Sequence, residues 1–207
     1  MFDIDGTLIQ SYDLDVECFV CAVKDVIGID ICTDWSTYRH VTDAGILYEI
    51  LDCHKISEKQ VVYNEIKNVF IKKTQESINT KPVQEVAGAS SFLKLMKSMD
   101  DVVLSFATGG WYESAVLKLE SAGIDFSDIP IASSNDSFVR TEIMKISASK
   151  ANIENSFSRT YFGDGSWDKK ASEELDYNFV LVGCGLKHKP NINNFKSVDY
   201  VMSCIGL

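Results

Sequence analysis

The stretch Phe2-Asp3-Ile4-Asp5-Gly6-Thr7-Leu8 sets two carboxylates two positions apart, directly ahead of a Gly-Thr turn. Side chains at i and i+2 of an extended strand point the same way. A pair placed where a strand opens into a glycine loop therefore faces a common ligand. One carboxylate can attack as a nucleophile while the other handles protons, provided a metal relieves their mutual repulsion. Taken alone, the same residues read more readily as a surface Asp-x-Asp turn. The choice rests on whether the rest of the chain supplies matching parts.

Working outward, 207 residues suit one domain of ordinary size, or a core carrying a sizeable insertion. An apolar fraction of 45% is enough to build a core. A formal net charge of −10 argues against a nucleic-acid-binding surface, which shows a basic face. It does not argue against a small phosphorylated ligand, because local cations and a metal dominate a pocket. Cys18 and Cys21 form a C-x-x-C without a second pair or suitably placed histidines, so the cysteines read as buried free thiols in a reducing compartment. No apolar run approaches the ~20 residues that cross a bilayer, and Asp3 and Asp5 stand where a signal peptide would be apolar. These features predict a soluble, cytoplasmic protein.

Between about 14 and 80 the pattern is almost wholly helical. Val16, Phe19, Val20, Val23, Val26 and Ile27 recur at three- and four-residue steps and predict a helix over 14–27. A second helix is expected over 43–51, capped at Thr42 or Asp43, and a third after Ser57, where Ser-Glu-Lys-Gln supplies a capping box. From residue 90 strands and helices alternate. Helices are expected over 90–98, 111–122, 138–152 and 168–175. Strands are expected over 102–107, 129–132, 160–163 and 179–183, with a last edge strand at 200–202. The pattern implies an α/β fold: a Rossmann-like parallel sheet with helices on both faces, plus an inserted all-helical cap. The division falls at 1–12 and 85–207 for the core and 13–84 for the cap, which is placed to act as a lid over the first catalytic loop.

Two further strand ends carry chemistry. The strand over 102–107 closes in Thr108-Gly109-Gly110 ahead of a helix. There the Thr108 hydroxyl and the amides of Gly109 and Gly110 form a candidate phosphate cradle; an N-capping threonine before a flexible turn is the plainer alternative. Gly163-Asp164-Gly165-Ser166-Trp167-Asp168 closes another buried strand with two acids. Asp164, added to Asp3 and the Asp5 backbone carbonyl, makes the sparse oxygen set that Mg²⁺ prefers. Asp168 can support a metal-bound water or hold a basic side chain.

These elements, with Trp35-x-x-Tyr38-x-His40-Val41-Thr42-Asp43-Ala44-Gly45-Ile46 and Leu117-Lys118-Leu119-Glu120-Ser121-Ala122-Gly123-Ile124, resemble the haloacid dehalogenase-like hydrolases. Within them they look like a phosphoglycolate phosphatase-like subgroup with a helical cap. The resemblance implies Mg²⁺ dependence and hydrolysis of a small phosphorylated metabolite. Asp3 would be the nucleophile and Asp5 the acid/base, with Thr108, Gly109 and Arg140 on the phosphate, and Asp3, Asp5 and Asp164 around the metal. Arg140 is the choice for the cation that family members carry ahead of the last acidic motif; Lys145 and Lys150 compete on the same helix. An acid at position 5 speaks against a dehalogenase, and Asp-Gly-Thr speaks against the ion-pump ATPases. A phosphomutase with the same core, or a silent binding protein on this fold, are the alternatives. His40, Thr42 and Asp43 either meet substrate from the cap or only cap a helix. One difficulty stays with the opening motif: a strand usually has about five residues, yet only Met1 and Phe2 precede Asp3. That expects a further stretch of strand upstream.

Overall fold

The computed structural model describes residues 1–152 and 158–207. Where the apolar period is three to four, the chain forms α1 (Tyr12–Ile27), α2 (Asp43–Cys53) and α3 (Lys59–Thr80), with a 3₁₀ turn at Trp35–Thr37. Thr42 caps α2, its Oγ accepting from Gly45 N at 3.1 Å. Two short strands flank these helices. β1 (Ile9–Gln10) and β2 (Gln84–Glu85) pair antiparallel, so the chain leaves for the helical cap and returns from it side by side. The rest alternates: α4 (Ala89–Lys97), β3 (Phe106–Ala107), α5 (Tyr112–Ser121), β4 (Ile131–Ala132), α6 (Arg140–Lys150), β5 (Thr160–Gly163), α7 (Ser166–Glu174), β6 (Asn178–Val182), β7 (Asn191–Ile192) and α8 (Val198–Ile205).

Phe2 holds the sheet together. It bridges in parallel to both Phe106 and Phe162, with Phe2 N donating to Ser105 O at 3.0 Å and Asp3 N to Phe162 O at 2.9 Å. The order across the sheet is β4, β3, the segment 1–3, β5, β6, β7, all parallel. The chain thus winds outward to one side from the segment 1–3, then returns and winds to the other. Ligands of such sheets bind at the carboxyl ends of the strands, at the point where the winding reverses. That point lies between the segment 1–3 and β5, where Asp3 and Asp164 emerge.

Period-two alternation divides the core. Phe2, Phe106, Phe162, Val180 and Val182 face one side, packed with Phe92, Phe195, Leu119 and Val201. Ala107, Tyr161, Phe179 and Leu181 face the other, with Ile143, Met144 and Ala171. Helices therefore cover both faces. The cap has its own cluster of Phe19, Val23, Leu47, Leu51, Ile66 and Phe70. Trp111, at the N-terminus of α5, inserts into it: Nε1 donates to Tyr63 OH at 2.8 Å and its ring stacks on Phe19.

Several expectations are corrected. Residues 200–202 lie in α8 rather than in an edge strand; Val198, Val201, Met202 and Ile205 recur at helical steps, and Val201 is buried on the core. The edge strand is β7, two residues long and defined by pairing with β6. Of 102–107, only Phe106 and Ala107 form a strand, because the neighbouring pairings reach only that far. The Ser57 capping box does not form: α3 starts at Lys59 behind Glu58, which has φ of 53° and makes no side-chain cap. Cys18 is buried, but Cys32, Cys53 and Cys184 are exposed. Among the described residues, no helix is long and apolar enough to cross a membrane.

Candidate active site

The strand ends bring Asp3, Asp164 and Asp168 together, with carboxylate oxygens within 4.8 Å of one another. The loop after Asp5 turns at Gly6, whose φ of +78° suits glycine. A Cβ at Gly6 would also run into the Asp164 carboxylate, so the bare backbone makes the space in which that acid sits. Asp168, in the first turn of α7, accepts from Gly165 N at 3.1 Å, and its other oxygen lies 3.3 Å from Tyr161 OH.

Arg140, the first residue of α6, reaches back to this cluster. Nη1 lies 3.1 Å from Asp3 Oδ1 and 3.3 Å from Asp168 Oδ1, and Nη2 donates to Val41 O at 3.2 Å. Its Nε has no hydrogen-bond partner. Of the three cations on α6, Arg140 alone is brought to the acids. Lys145 pairs with Glu142 on the surface, and Lys150 holds Ile131 O and Asp136. Gly109 lets the guanidinium lie against the loop after β3, since a Cβ there would be 2.5 Å from Arg140 Nη2. Thr108 is buried, and its Oγ accepts from Gly110 N at 3.0 Å. The Gly110 amide is therefore engaged within the loop.

Three carboxylates against one guanidinium leave this floor short of positive charge. Burial, then the Asp168 charge, pushes Asp3 well above the usual carboxylate range despite the pull of Arg140. Burial and Asp168 push Asp164 up to about 7. An all-oxygen, acid-rich set of this kind suits a hard divalent cation, which would relieve the imbalance.

A second cluster was not anticipated. Lys118 on α5 is 1% exposed, and its Nζ lies 2.6 Å from Asp5 Oδ1 and 2.8 Å from both oxygens of Asp15 on α1. Ser11 Oγ donates to the same Asp5 oxygen at 2.5 Å. Burial pushes Asp5 up, but the Lys118 charge and the hydrogen bonds of Lys118 and Ser11 bring it below its ordinary value. Burial and the Asp5 charge push Asp15 well above its own. Two carboxylates thus share one lysine, and of the two it is Asp15 whose surroundings favour the protonated form. The available signal was periodicity: Ser114, Ala115, Lys118 and Leu119 form one buried stripe of α5. Asp15 likewise lies one turn before buried Phe19 on α1.

A cleft opens over both clusters, with Asp3, Asp5, Thr108, Gly109, Arg140 and Asp164 in its lining. Thr42 and Asp43 also line it. Thr42 Oγ donates to Phe138 O at 3.0 Å, and Asp43 Oδ2 accepts from Trp111 N at 2.9 Å, capping α5 from across the cleft. Burial pushes Asp43 up to about 6, against the pull of Lys118. His40 lies elsewhere, in a neighbouring cleft with Arg39 and Lys170, its ring 5.2 Å from that of Phe138.

Comparison with known proteins gives this arrangement a family. The model of the haloacid dehalogenase-like hydrolases matches residues 1–182. No curated protein matches the chain by sequence. Among solved structures, a β-phosphoglucomutase from Clostridium difficile is 20% identical, with 99% of this chain and 95% of that one covered at a TM-score of 0.77. CbbY from Rhodobacter sphaeroides, solved with phosphate, is 13% identical over 95% and 94% at 0.71. A predicted phosphoglycolate phosphatase from Haemophilus somnus is 16% identical over 97% and 96% at 0.69. At these identities the likeness is one of fold. The chain belongs to the haloacid dehalogenase-like hydrolase family.

Proposed function

We propose that this protein is a Mg²⁺-dependent phosphatase acting on a small phosphorylated metabolite in the cytoplasm. The observation that carries the reading is the placement of Asp3 at the sheet's switch point, between the Arg140 guanidinium and the Asp164 carboxylate. A phosphoryl group seated there meets Asp3 in line, with Arg140 and the loop of Thr108 and Gly109 on its oxygens. Asp3 attacks phosphorus, the bond to the alcohol oxygen breaks, and an aspartyl-phosphate forms. Asp5 protonates the departing oxygen, then takes a proton from the water that hydrolyses the intermediate. Asp15, on the other side of the shared Lys118, is pushed well above its ordinary value by burial and the Asp5 charge, which favours a proton in this pair. Asp3, Asp164 and the Asp5 backbone carbonyl would hold Mg²⁺, which when bound neutralises charge on the phosphoryl oxygens. Asp168, with both oxygens engaged, steadies Arg140.

In this reading residues 1–12 and 85–207 form the catalytic core and 13–84 the cap, and paired β1 and β2 are the connection over which the cap moves. A phosphomutase is the second reading, favoured by the full-length likeness to β-phosphoglucomutase. It would return the phosphoryl group from Asp3 to a bound sugar rather than to water. The test is release of inorganic phosphate from p-nitrophenyl phosphate with Mg²⁺. Release by the wild type and none by Asp3→Asn is expected. No release by the wild type, or equal release by both, sinks the reading.

A further inference from the structure

We infer that the site takes a phosphomonoester whose alcohol portion presents an apolar face and carries no second anionic group. The inference rests on the phosphatase reading and deepens it. Its basis is the inventory of charge in the cleft. Among the described residues lining it, the cations are Arg140 and Lys118. Arg140 is engaged by Asp3 and Asp168 at the floor, where the phosphoryl group belongs. Lys118 is engaged by Asp5 and Asp15 and is fully enclosed. Neither remains to receive a carboxylate or a second phosphate.

The walls beyond the floor have the opposite character. α1 contributes Tyr12, Val16 and Phe19, the 3₁₀ turn contributes Trp35, and Trp167 stands on the side of α7. Phe19 is held by an edge contact with Trp35 at 6.0 Å and a stack on Trp111 at 5.9 Å, so this surface is set before any ligand arrives. The carboxyl groups of the wall beyond the floor are those of Asp15 and Asp43. An anionic alcohol portion would lose its water, find no cation, and lie against the Asp43 carboxylate. A flat or aliphatic one would cover aromatic faces, and a cationic one would also be drawn to them. The basic side chains nearby, Arg39, His40 and Lys170, line the separate cleft that shares Val41, Arg140 and Trp167 as a common wall.

The test uses the full chain with Mg²⁺ and four alkyl esters, so that leaving-group basicity does not decide the order. They are benzyl phosphate, phosphocholine, phosphoglycolate and fructose 1,6-bisphosphate. The alcohol portions of phosphocholine and phosphoglycolate are opposite in charge, one a cation and the other an anion, so this pair tests the sign of charge the wall accepts. We expect kcat/KM for benzyl phosphate and phosphocholine to exceed that for the two anionic esters by about tenfold or more, as like-charge juxtaposition demands. Equal or faster turnover of phosphoglycolate or the bisphosphate overturns the inference while leaving the phosphatase reading intact. Release from none of the four, and none from p-nitrophenyl phosphate, overturns both.

Discussion

Lys118→Met is the sharpest probe of the charge arrangement. Methionine keeps the length of the side chain, so the loss is mainly that of the ammonium group against Asp5 and Asp15. If Asp15 carries the proton, Lys118 balances Asp5 alone, and the variant buries an uncompensated carboxylate. Breaking a buried pair in this way typically costs about 3–5 kcal/mol. The Asp5 carboxyl can escape by taking a proton, which sets a ceiling on the cost. From its ordinary value of 3.8, protonation costs about 4 kcal/mol at pH 7 and about 2 kcal/mol at pH 5, at 1.36 kcal/mol per pH unit. The Asp5 side chain is 23% exposed, so the measured loss should fall somewhat below the ceiling.

The sign follows from linkage. With Lys118 present, Asp5 sits below its ordinary value, so its ion pair stabilises above about pH 4 and is lost as pH falls. Without Lys118, burial pushes Asp5 up, and stability is lost as pH rises. Both effects widen the gap between wild type and variant toward high pH. Asp15→Asn imitates the protonated acid and should cost under about 1 kcal/mol at pH 7, on the scale of one neutral hydrogen bond. Urea unfolding in EDTA, followed by tryptophan fluorescence at pH 5 and pH 7, measures all three proteins. A Lys118→Met loss that is the same at both pH values would refute the reasoning. So would an Asp15→Asn loss as large as that of Lys118→Met, because the proton would then not reside on Asp15.

Three further outcomes are expected. In EDTA the wild type should lose stability as pH rises from 5 through 8, because Asp164, raised to about 7, and Asp3 favour the folded state only while protonated. Mg²⁺ at a hundred times its Kd should return about 2.7 kcal/mol at pH 8, and a thermal scan unmoved by Mg²⁺ at that pH counts against the metal. Gly109→Ala forces Arg140 Nη2 away from a Cβ that would stand 2.5 Å from it, so phosphate release should fall about a hundredfold, the usual cost of misplacing a catalytic group by an ångström. Its Tm should change by only a few degrees; unchanged kcat would show that Arg140 is not needed where it lies. Trp111→Ala removes the core's anchor in the cap cluster and should cost about 3–5 kcal/mol, measured by urea unfolding. A loss below 1 kcal/mol would mean that the cap cluster closes without it.

The acids at the strand ends were legible because each is announced by its neighbours in sequence: Asp-x-Asp before Gly6, and Gly-Asp-Gly closing a run of buried residues. Arg140 could be singled out on family resemblance, since its position at the start of a helix is a local feature. The same locality explains what was missed. Lys118 lies in a stretch that carries the family resemblance, but nothing there gives it a role, and a lysine on an amphipathic helix ordinarily reads as a solvated charge. Its meaning depends on α1 delivering Asp15 and the opening segment delivering Asp5 to one buried point, although Asp15 and Lys118 stand 103 positions apart in the chain. The edge of the sheet obeys the same logic. Asn191 and Ile192 are a strand only because β6 pairs with them, whereas Tyr200, Val201 and Met202 look like a strand until Val198 and Ile205 are counted with them. Elements set by periodicity or turn chemistry are written locally; elements set by pairing or charge balance need the fold. The Lys118 cluster is of the second kind and joins the core helix α5 to the cap helix α1 through the proposed acid/base.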